Sequence, residues 1–240
     1  MTGNQNWRPG GTPFLTGLFI LTLLDMALTI RAFFSYAPLR GEAGAWGYLW
    51  YAFFPLLAYA AALFWLRRAT SAAAVGAVPI VAQLGGLGAL LEIISIAVET
   101  FVPLPSGLMG VFSLGSMLAL FSLWGYAGFR ATRAVGLIGS GLLAAVGTAM
   151  VGVLAAIAFG IALGILALPR LAMWLAGSAE YARSGWTDLR AFALANQLDS
   201  ASSHLVLAPM VAAICGSLGL GLARFLASRR ASIAASESAP

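Results

Sequence analysis

The sequence is poor in charge and in the residues that hold metals, haems and redox centres. Only 9% of its 240 residues are charged, whereas soluble proteins average about 25%. Cys215 is the single cysteine, His204 is the single histidine, and every basic residue is arginine. One cysteine forms neither an internal disulfide nor a Cys-x-x-Cys redox pair, and a chain without lysine has no Schiff-base chemistry. We therefore predict no cofactor.

What the sequence has in abundance is apolar side chains. Hydrophobic residues make up 61% of the chain, and the mean hydropathy is +0.93. A soluble fold of this length has no interior large enough for so much apolar surface. This composition predicts an all-α integral membrane protein whose main partner is the lipid bilayer. The basic balance reflects arginines that flank membrane segments, so we predict no nucleic-acid partner.

Six apolar stretches have the length of about 20 residues that a membrane-spanning helix needs. They occupy residues 14–33, 46–66, 77–98, 107–129, 135–168 and 203–226. The fifth is too long for one perpendicular crossing and too short for two, so it is interpreted as one tilted helix. The predicted organisation is an N-terminus at 1–13, a six-helix membrane domain at 14–226 and a disordered tail at 227–240.

The segment between the fifth and sixth stretches, residues 169–202, alternates large apolar residues with charged ones. This pattern predicts one or two short amphipathic helices, broken near Ser184 and Gly185, that lie at the membrane interface. Two interpretations remain open for this segment. It acts as a lid or a docking surface for a partner, or it only seals the ends of the spanning helices.

The arginines are distributed unevenly around the predicted spans, which predicts an orientation. One side holds the larger set, in short loops next to span ends: Arg8, Arg67, Arg68, Arg130, Arg133, Arg224, Arg229 and Arg230. The smaller set on the other side is mixed with acidic residues: Arg31, Arg40, Arg170, Arg183 and Arg190. Arginine-rich short loops stay in the cytoplasm. We expect a multi-pass protein of the bacterial inner membrane, with both termini cytoplasmic and residues 169–202 extracytoplasmic.

Acidic residues inside the apolar stretches are the strongest functional signal. Asp25 lies near the middle of the first stretch, flanked by Thr22 and Thr29 on the same helical face. Glu92 lies in the third stretch, and Glu99 follows seven residues later on the same face. A charge at bilayer depth costs about 2.5–3.5 kcal/mol, so such residues face a bundle interior or a water-filled cavity. The predicted topology places six ionisable groups in one leaflet as a candidate ion or proton site: Asp25, Arg31, Glu92, Glu99, Asp199 and His204. Arg31, Glu99, Asp199 and His204 are explained equally well as ordinary residues near helix ends.

Prolines and small residues inside the spans have both functional and structural explanations. Pro209 leaves the carbonyl of Leu205 without its helical donor, and a freed carbonyl either coordinates a cation or is satisfied by a neighbour. Glycine-rich stretches, including the Gly160–Gly164 pair, let helices approach closely. We favour packing within the fold. A homo-oligomer or hetero-complex formed through these helices and the 169–202 segment is the alternative.

No catalytic motif accompanies these features. The sequence has no His-Glu-x-x-His metal site, no phosphate-binding loop and no dinucleotide fingerprint. We therefore favour a non-enzymatic function: a transporter or channel for a small cation or proton-coupled solute that uses intramembrane carboxylates. The second hypothesis is a non-catalytic subunit of a respiratory, photosynthetic or export complex, and the third is a membrane enzyme that acts on a lipid or quinone.

Overall fold

The computed structural model describes residues 11–68 and 72–237, and residues 1–10, 69–71 and 238–240 lie outside this description. Most of the predicted N-terminal segment at 1–13 is therefore outside it. Within the described ranges every regular element is a helix. In chain order they are α1 (Gly11–Ser35), α2 (Ala37–Gly41), α3 (Ala45–Arg68), α4 (Ala72–Phe101), α5 (Ser106–Val135), α6 (Ile138–Leu166), α7 (Leu168–Leu175), α8 (Ala179–Ser184) and α9 (Leu189–Glu237).

Six of these helices, α1, α3, α4, α5, α6 and α9, are long and apolar enough to cross a membrane. The sequence-based prediction of six spanning helices is confirmed on that basis. The fifth stretch, which was predicted to be one long helix, is the single 29-residue helix α6. The other helices match their predicted spans with longer ends, because hydropathy marks the apolar centre of a helix and not its capped termini.

Glycine and proline set the turns between neighbouring long helices. Gly136 ends α5 in the left-handed conformation, with φ of 76°, and its N–H donates to the carbonyl of Thr132. A residue without Cβ adopts this conformation at low cost. Pro103 and Pro105 separate α4 from α5, since proline cannot continue a helix. Inside the spans, by contrast, Pro55 and Pro79 are accommodated within continuous helices.

The six long helices form one bundle around α6, which is the most buried of them. Helix α6 packs against α4, α9, α5 and α1, and α3 completes the bundle by packing against α1 and α9. Glycines allow the closest of these approaches, because a Cβ on Gly85 of α4 would lie 2.7 Å from the Val151 side chain of α6. Gly85 therefore serves the packing of α4 against α6 within one chain. Large apolar side chains such as Tyr51, Trp65 and Leu166 are exposed on the outside of the bundle, where a bilayer would cover them.

The two ends of the bundle carry different elements, and we name them the α7 end and the tail end. The α7 end carries α2, α7, α8 and the first turns of α9, and the tail end carries the α5–α6 turn and the last turns of α9. Helix α8 ends at Ser184, and Gly185 follows with φ of 72°, so the predicted break in the 169–202 segment is present. Helix α9 starts at Leu189 and continues to Glu237, past the expected end of the span at residue 226. Alanines recur in these last turns, and alanine has the highest helix propensity.

Candidate functional site

A cavity, here named the main cavity, lies beside the place where α5 and α9 cross. At the tail end their backbones meet through glycines, so that a Cβ on Gly128 would lie 2.7 Å from the carbonyl oxygen of Gly216. Gly219 meets the carbonyl of Gly125 still more closely. Toward the α7 end, side chains of both helices line a common space. The space between them, closed by α4 and α6 and overlain by α7, is a cavity of about 570 Å³.

The walls of this cavity combine ionisable, polar and aromatic side chains. Glu92 and Glu99 line it from α4 and His204 lines it from α9. Hydroxyl and amide groups fill the remaining polar positions: Ser95, Thr100, Ser113, Ser116, Asn196, Gln197, Ser200 and Ser203. The apolar part of the lining includes Phe121, Trp124 and Trp174. A cavity with apolar walls and a few convergent polar groups is the usual form of a small-molecule site.

Glu99 is held in place at one side of the cavity. Its Oε1 accepts a hydrogen bond of 2.7 Å from the hydroxyl of Ser113, which joins α4 to α5. Glu99 also lines a second cavity of about 450 Å³ at the α7 end, together with Thr100 and Trp174, which are shared with the first. Glu99 and Trp174 therefore lie at the boundary between the two cavities.

One ring nitrogen of His204 forms a hydrogen bond within α9, and the other is left for a ligand or a proton. Its Nδ1 lies 2.7 Å from the carbonyl oxygen of Ser200 and 3.4 Å from the hydroxyl of the same residue. A carbonyl only accepts, so Nδ1 carries the hydrogen in this bond and Nε2 is the nitrogen left for a ligand or a proton. Glu92 is close enough to interact electrostatically with both His204 and Glu99. These three ionisable residues line the same cavity, with Glu92 interacting with each of the other two.

Asp25 is placed apart from this group. It is fully buried on the stripe of α1 that also buries Leu18, Thr22 and Thr29, and it lines neither cavity. Within the described chain both carboxyl oxygens of Asp25 and the hydroxyl of Thr29 lack a hydrogen-bond partner. The hydroxyl of Thr22 instead donates to the carbonyl of Leu18 at 2.9 Å. The expectation that Asp25 shares one site with Glu92 therefore does not match this arrangement.

The remaining predicted site residues lie outside the cavity. Arg31 and Asp199 are exposed and line neither cavity. Arg31 is six residues from Asp25 and points away from the buried stripe of α1. Asp199 precedes Ser200 on α9 and lies about 100° around the helix from it, at the edge of the face that lines the cavity. In residues 11–68 and 72–237, no three His, Cys, Asp or Glu side chains come together as a metal centre would require.

Several lining residues were missed by the sequence analysis. Trp124, Ser113 and Ser116 lie on α5, which has no ionisable residue among its apolar turns and gave no signal. Asn196 and Gln197 belong to the polar run before residue 203, which was interpreted as part of an interfacial segment. In the structure this run is the first part of α9 and forms one wall of the cavity. The adjacent amide side chains of Asn196 and Gln197, close to a predicted span, were the sequence feature that could have indicated this wall of the cavity.

Comparison with known proteins adds no further assignment: no protein-family model, no curated protein and no solved structure matches this chain.

Proposed function

We propose that this protein is a membrane transporter that binds a small organic cation in the cavity between α4, α5, α6 and α9. The observation that carries the proposal is the grouping of Glu92, Glu99 and His204 around a cavity of about 570 Å³. Its volume falls within the range of about 300–1,000 Å³ typical of small-molecule sites. A bare inorganic ion needs far less space.

The charge balance of the cavity favours a cation over an anion. Two carboxylates and one imidazole line it, and no lysine or arginine does. Ionised carboxylates within a low-dielectric bundle attract a positive ligand more strongly than they would in water. The aromatic faces of Phe121, Trp124 and Trp174 supply cation–π contacts for an alkylated or aromatic ammonium.

The second cavity offers a path for the solute. It opens at the α7 end and shares Glu99, Thr100 and Trp174 with the main cavity. The arginine distribution supports placing this end outside the cell, because Arg67, Arg68, Arg130 and Arg133 lie at the opposite ends of their helices. In this orientation both termini are cytoplasmic and the conformation described is open outward.

Binding to the purified protein tests the proposal. Isothermal titration would use tetramethylammonium, tetraethylammonium and tetraphenylphosphonium as probes of increasing size. We expect one of them to bind, and Glu92→Gln to weaken that binding about tenfold, which corresponds to about 1.4 kcal/mol. Glu180→Gln is the matched control, because Glu180 is an exposed carboxylate on α8 and is absent from both cavities.

Transport is then measured after reconstitution into liposomes, with the flux of the bound probe as readout. Flux that requires Glu92 and survives Glu180→Gln supports the transporter. Absence of binding by all three probes, combined with stoichiometric copurification of other membrane proteins, would overturn it in favour of a complex subunit. Displacement of a copurified lipid or quinone from the cavity would instead favour a lipid-binding function.

A further inference from the structure

We infer that Asp25 is a second site, separate from the solute cavity, at which the protein binds and releases a proton within the membrane. Asp25 lies next to the midpoint of the spanning segment Pro13–Ser35. It is fully buried where α1 packs into the bundle. The site goes beyond the solute-binding proposal, because Asp25 does not line the cavity.

The buried carboxyl has no group to stabilise its charge. Neither of its oxygens accepts a hydrogen bond within the described chain. Buried polar groups are normally hydrogen-bonded, and buried charges are paired. A carboxyl that lacks both kinds of partner at bilayer depth is a functional candidate by default. Protonation removes the charge and supplies an O–H donor, and it needs no other ligand.

The composition of the site favours a proton over a metal cation. On the buried stripe of α1, three oxygens lack partners: the two of Asp25 and the hydroxyl oxygen of Thr29. Hard metal cations take about six or more oxygen ligands. A proton is accommodated by one oxygen of Asp25, and the hydroxyl of Thr29, one helical turn away, is available as a partner.

Among the described residues of the elements packed against α1, no group donates a hydrogen bond to Asp25. Helix α6 has no titratable side chain at all. The other packed helices carry the following groups: Arg40 on α2; Tyr48, Tyr51, Tyr59, Arg67 and Arg68 on α3; Glu92 and Glu99 on α4; Arg190, Asp199, His204, Cys215, Arg224, Arg229, Arg230 and the terminal Glu237 on α9. Arg31 of α1 itself is exposed. Proton release from Asp25 therefore requires that α1 move and admit water.

A chain of contacts connects this site with the cavity. Helix α1 packs against α3, and the Tyr59 hydroxyl of α3 donates to the carbonyl of Leu205, which adjoins the cavity residue His204. A movement of α1 that exposes Asp25 would shift α3 and, through Tyr59, this part of α9. Asp25 would thus supply the coupling proton of the transporter. This coupling role rests on the proposed function, whereas the presence of the proton site does not.

Carbodiimide labelling of the full-length protein tests the proton site directly. Dicyclohexylcarbodiimide partitions into apolar regions and reacts with protonated carboxyl groups. We expect peptide mass spectrometry to locate the label on Asp25 and not on the exposed carboxylate of Glu180. Once the carboxyl deprotonates, the labelling rate should fall about tenfold for each further pH unit. Lack of label at Asp25 between about pH 5 and 9, or protection by Na⁺ at constant pH, would overturn the assignment.

Substitutions separate this site from the cavity. We expect Asp25→Asn to bind the cavity probe with unchanged affinity and to lose proton movement coupled to its flux, and Asp25→Glu to restore that movement. Coupled proton movement that persists in Asp25→Asn would overturn the coupling role. If the transporter proposal itself fails, no variant binds the probe, while the wild-type labelling pattern remains. If Asp25→Asn does not fold, the carbodiimide labelling of the wild-type protein still tests whether Asp25 is a proton site.

Discussion

The hydroxyl of Tyr59 donates a hydrogen bond of 2.7 Å to the carbonyl of Leu205. This is the carbonyl that Pro209 deprives of its helical donor, because proline has no N–H. The bond joins α3 to α9 in the buried part of the bundle. The sequence analysis left two roles open for this carbonyl, and the structure shows that a neighbouring side chain satisfies it.

We predict that Tyr59→Phe destabilises the fold by about 1–3 kcal/mol, the cost of a buried carbonyl left without a donor. The measurement is the free energy of unfolding in detergent. Tyr51→Phe is the matched control on the same helix, because the Tyr51 side chain is 67% exposed. Equal stability of the two variants would show that the Leu205 carbonyl finds another donor, such as water.

The close crossing of α5 and α9 predicts a strong effect of one methyl group. A Cβ on Gly128 would lie 2.7 Å from the carbonyl oxygen of Gly216 and 2.8 Å from its Cα. Both are backbone atoms, so neither moves without shifting a helix. We expect Gly128→Ala to cost about 1–3 kcal/mol of stability, as overpacking typically does.

Gly115→Ala on the same helix is the control for that substitution. No atom lies within 4 Å of a Cβ built on Gly115, so this change should be neutral or stabilising by up to about 1 kcal/mol through helix propensity. Thermal unfolding of both variants in one detergent makes the comparison. Equal melting temperatures would contradict the close approach at Gly128.

The anchor of α9 at the α7 end predicts a dependence on pH. Asp188 accepts hydrogen bonds from the backbone N–H groups of Arg190 and Ala191, and from the Tyr36 hydroxyl at 2.8 Å. Partial desolvation opposes ionisation, but these bonds and the Arg190 charge outweigh it and lower the pKa of Asp188. The bond to Asp188 raises the pKa of Tyr36.

The lowered pKa of Asp188 determines how the stability of the fold changes with pH. Because the folded pKa of Asp188 is lowered, its stabilisation is present above the unfolded value of about 3.9 and is lost as the pH falls through the folded pKa. We expect Tyr36→Phe to reduce stability at pH 7 by less than about 1 kcal/mol, since the contact is close to water. The difference from wild type should disappear once Asp188 is protonated. A difference that is constant across acid pH would contradict the assignment, and Tyr181→Phe serves as the control.

Arg170 attaches α7 to the end of α4 and lines the second cavity, so we expect it to limit access to the main cavity. Its guanidinium donates to the carbonyls of Thr100 and Phe101 at 3.3 and 3.1 Å. We predict that Arg170→Met speeds modification of Ser116→Cys by a water-soluble cationic thiosulfonate several-fold. The experiment uses a Cys215→Ala background, and Ser116 was chosen because it lines the cavity.

Arg183→Met is the control for this experiment. Arg183 lies on α8 and donates only to the Ala179 carbonyl of its own helix, so its loss should leave the modification rate unchanged. An equal rate in wild type and Arg170→Met would show that α7 does not limit access to the cavity.

The sequence by itself determined the helices of this protein, the turns between them and the polar residues inside them. Its apolar stretches predicted six long helices. Gly136, Pro103 and Pro105 end or separate these helices for reasons that are local to the backbone. The presence of carboxyl groups within long apolar helices, and the freeing of the Leu205 carbonyl by Pro209, also follow from the sequence alone. Each of these properties depends on residues within a few turns of one another.

Only the tertiary structure decided which of these residues meet. Periodicity shows that Asp25 lies on a polar stripe of α1, but it does not show which helices cover that stripe. The structure packs α1 against α3 and α6, whereas Glu92 and Glu99 share a cavity with His204 of α9. The physical reason is that helix pairing is set by side-chain shape. Glycines at Gly128 and Gly216 bring the backbones of α5 and α9 close together, and this relation between distant segments is not contained in the period of either one.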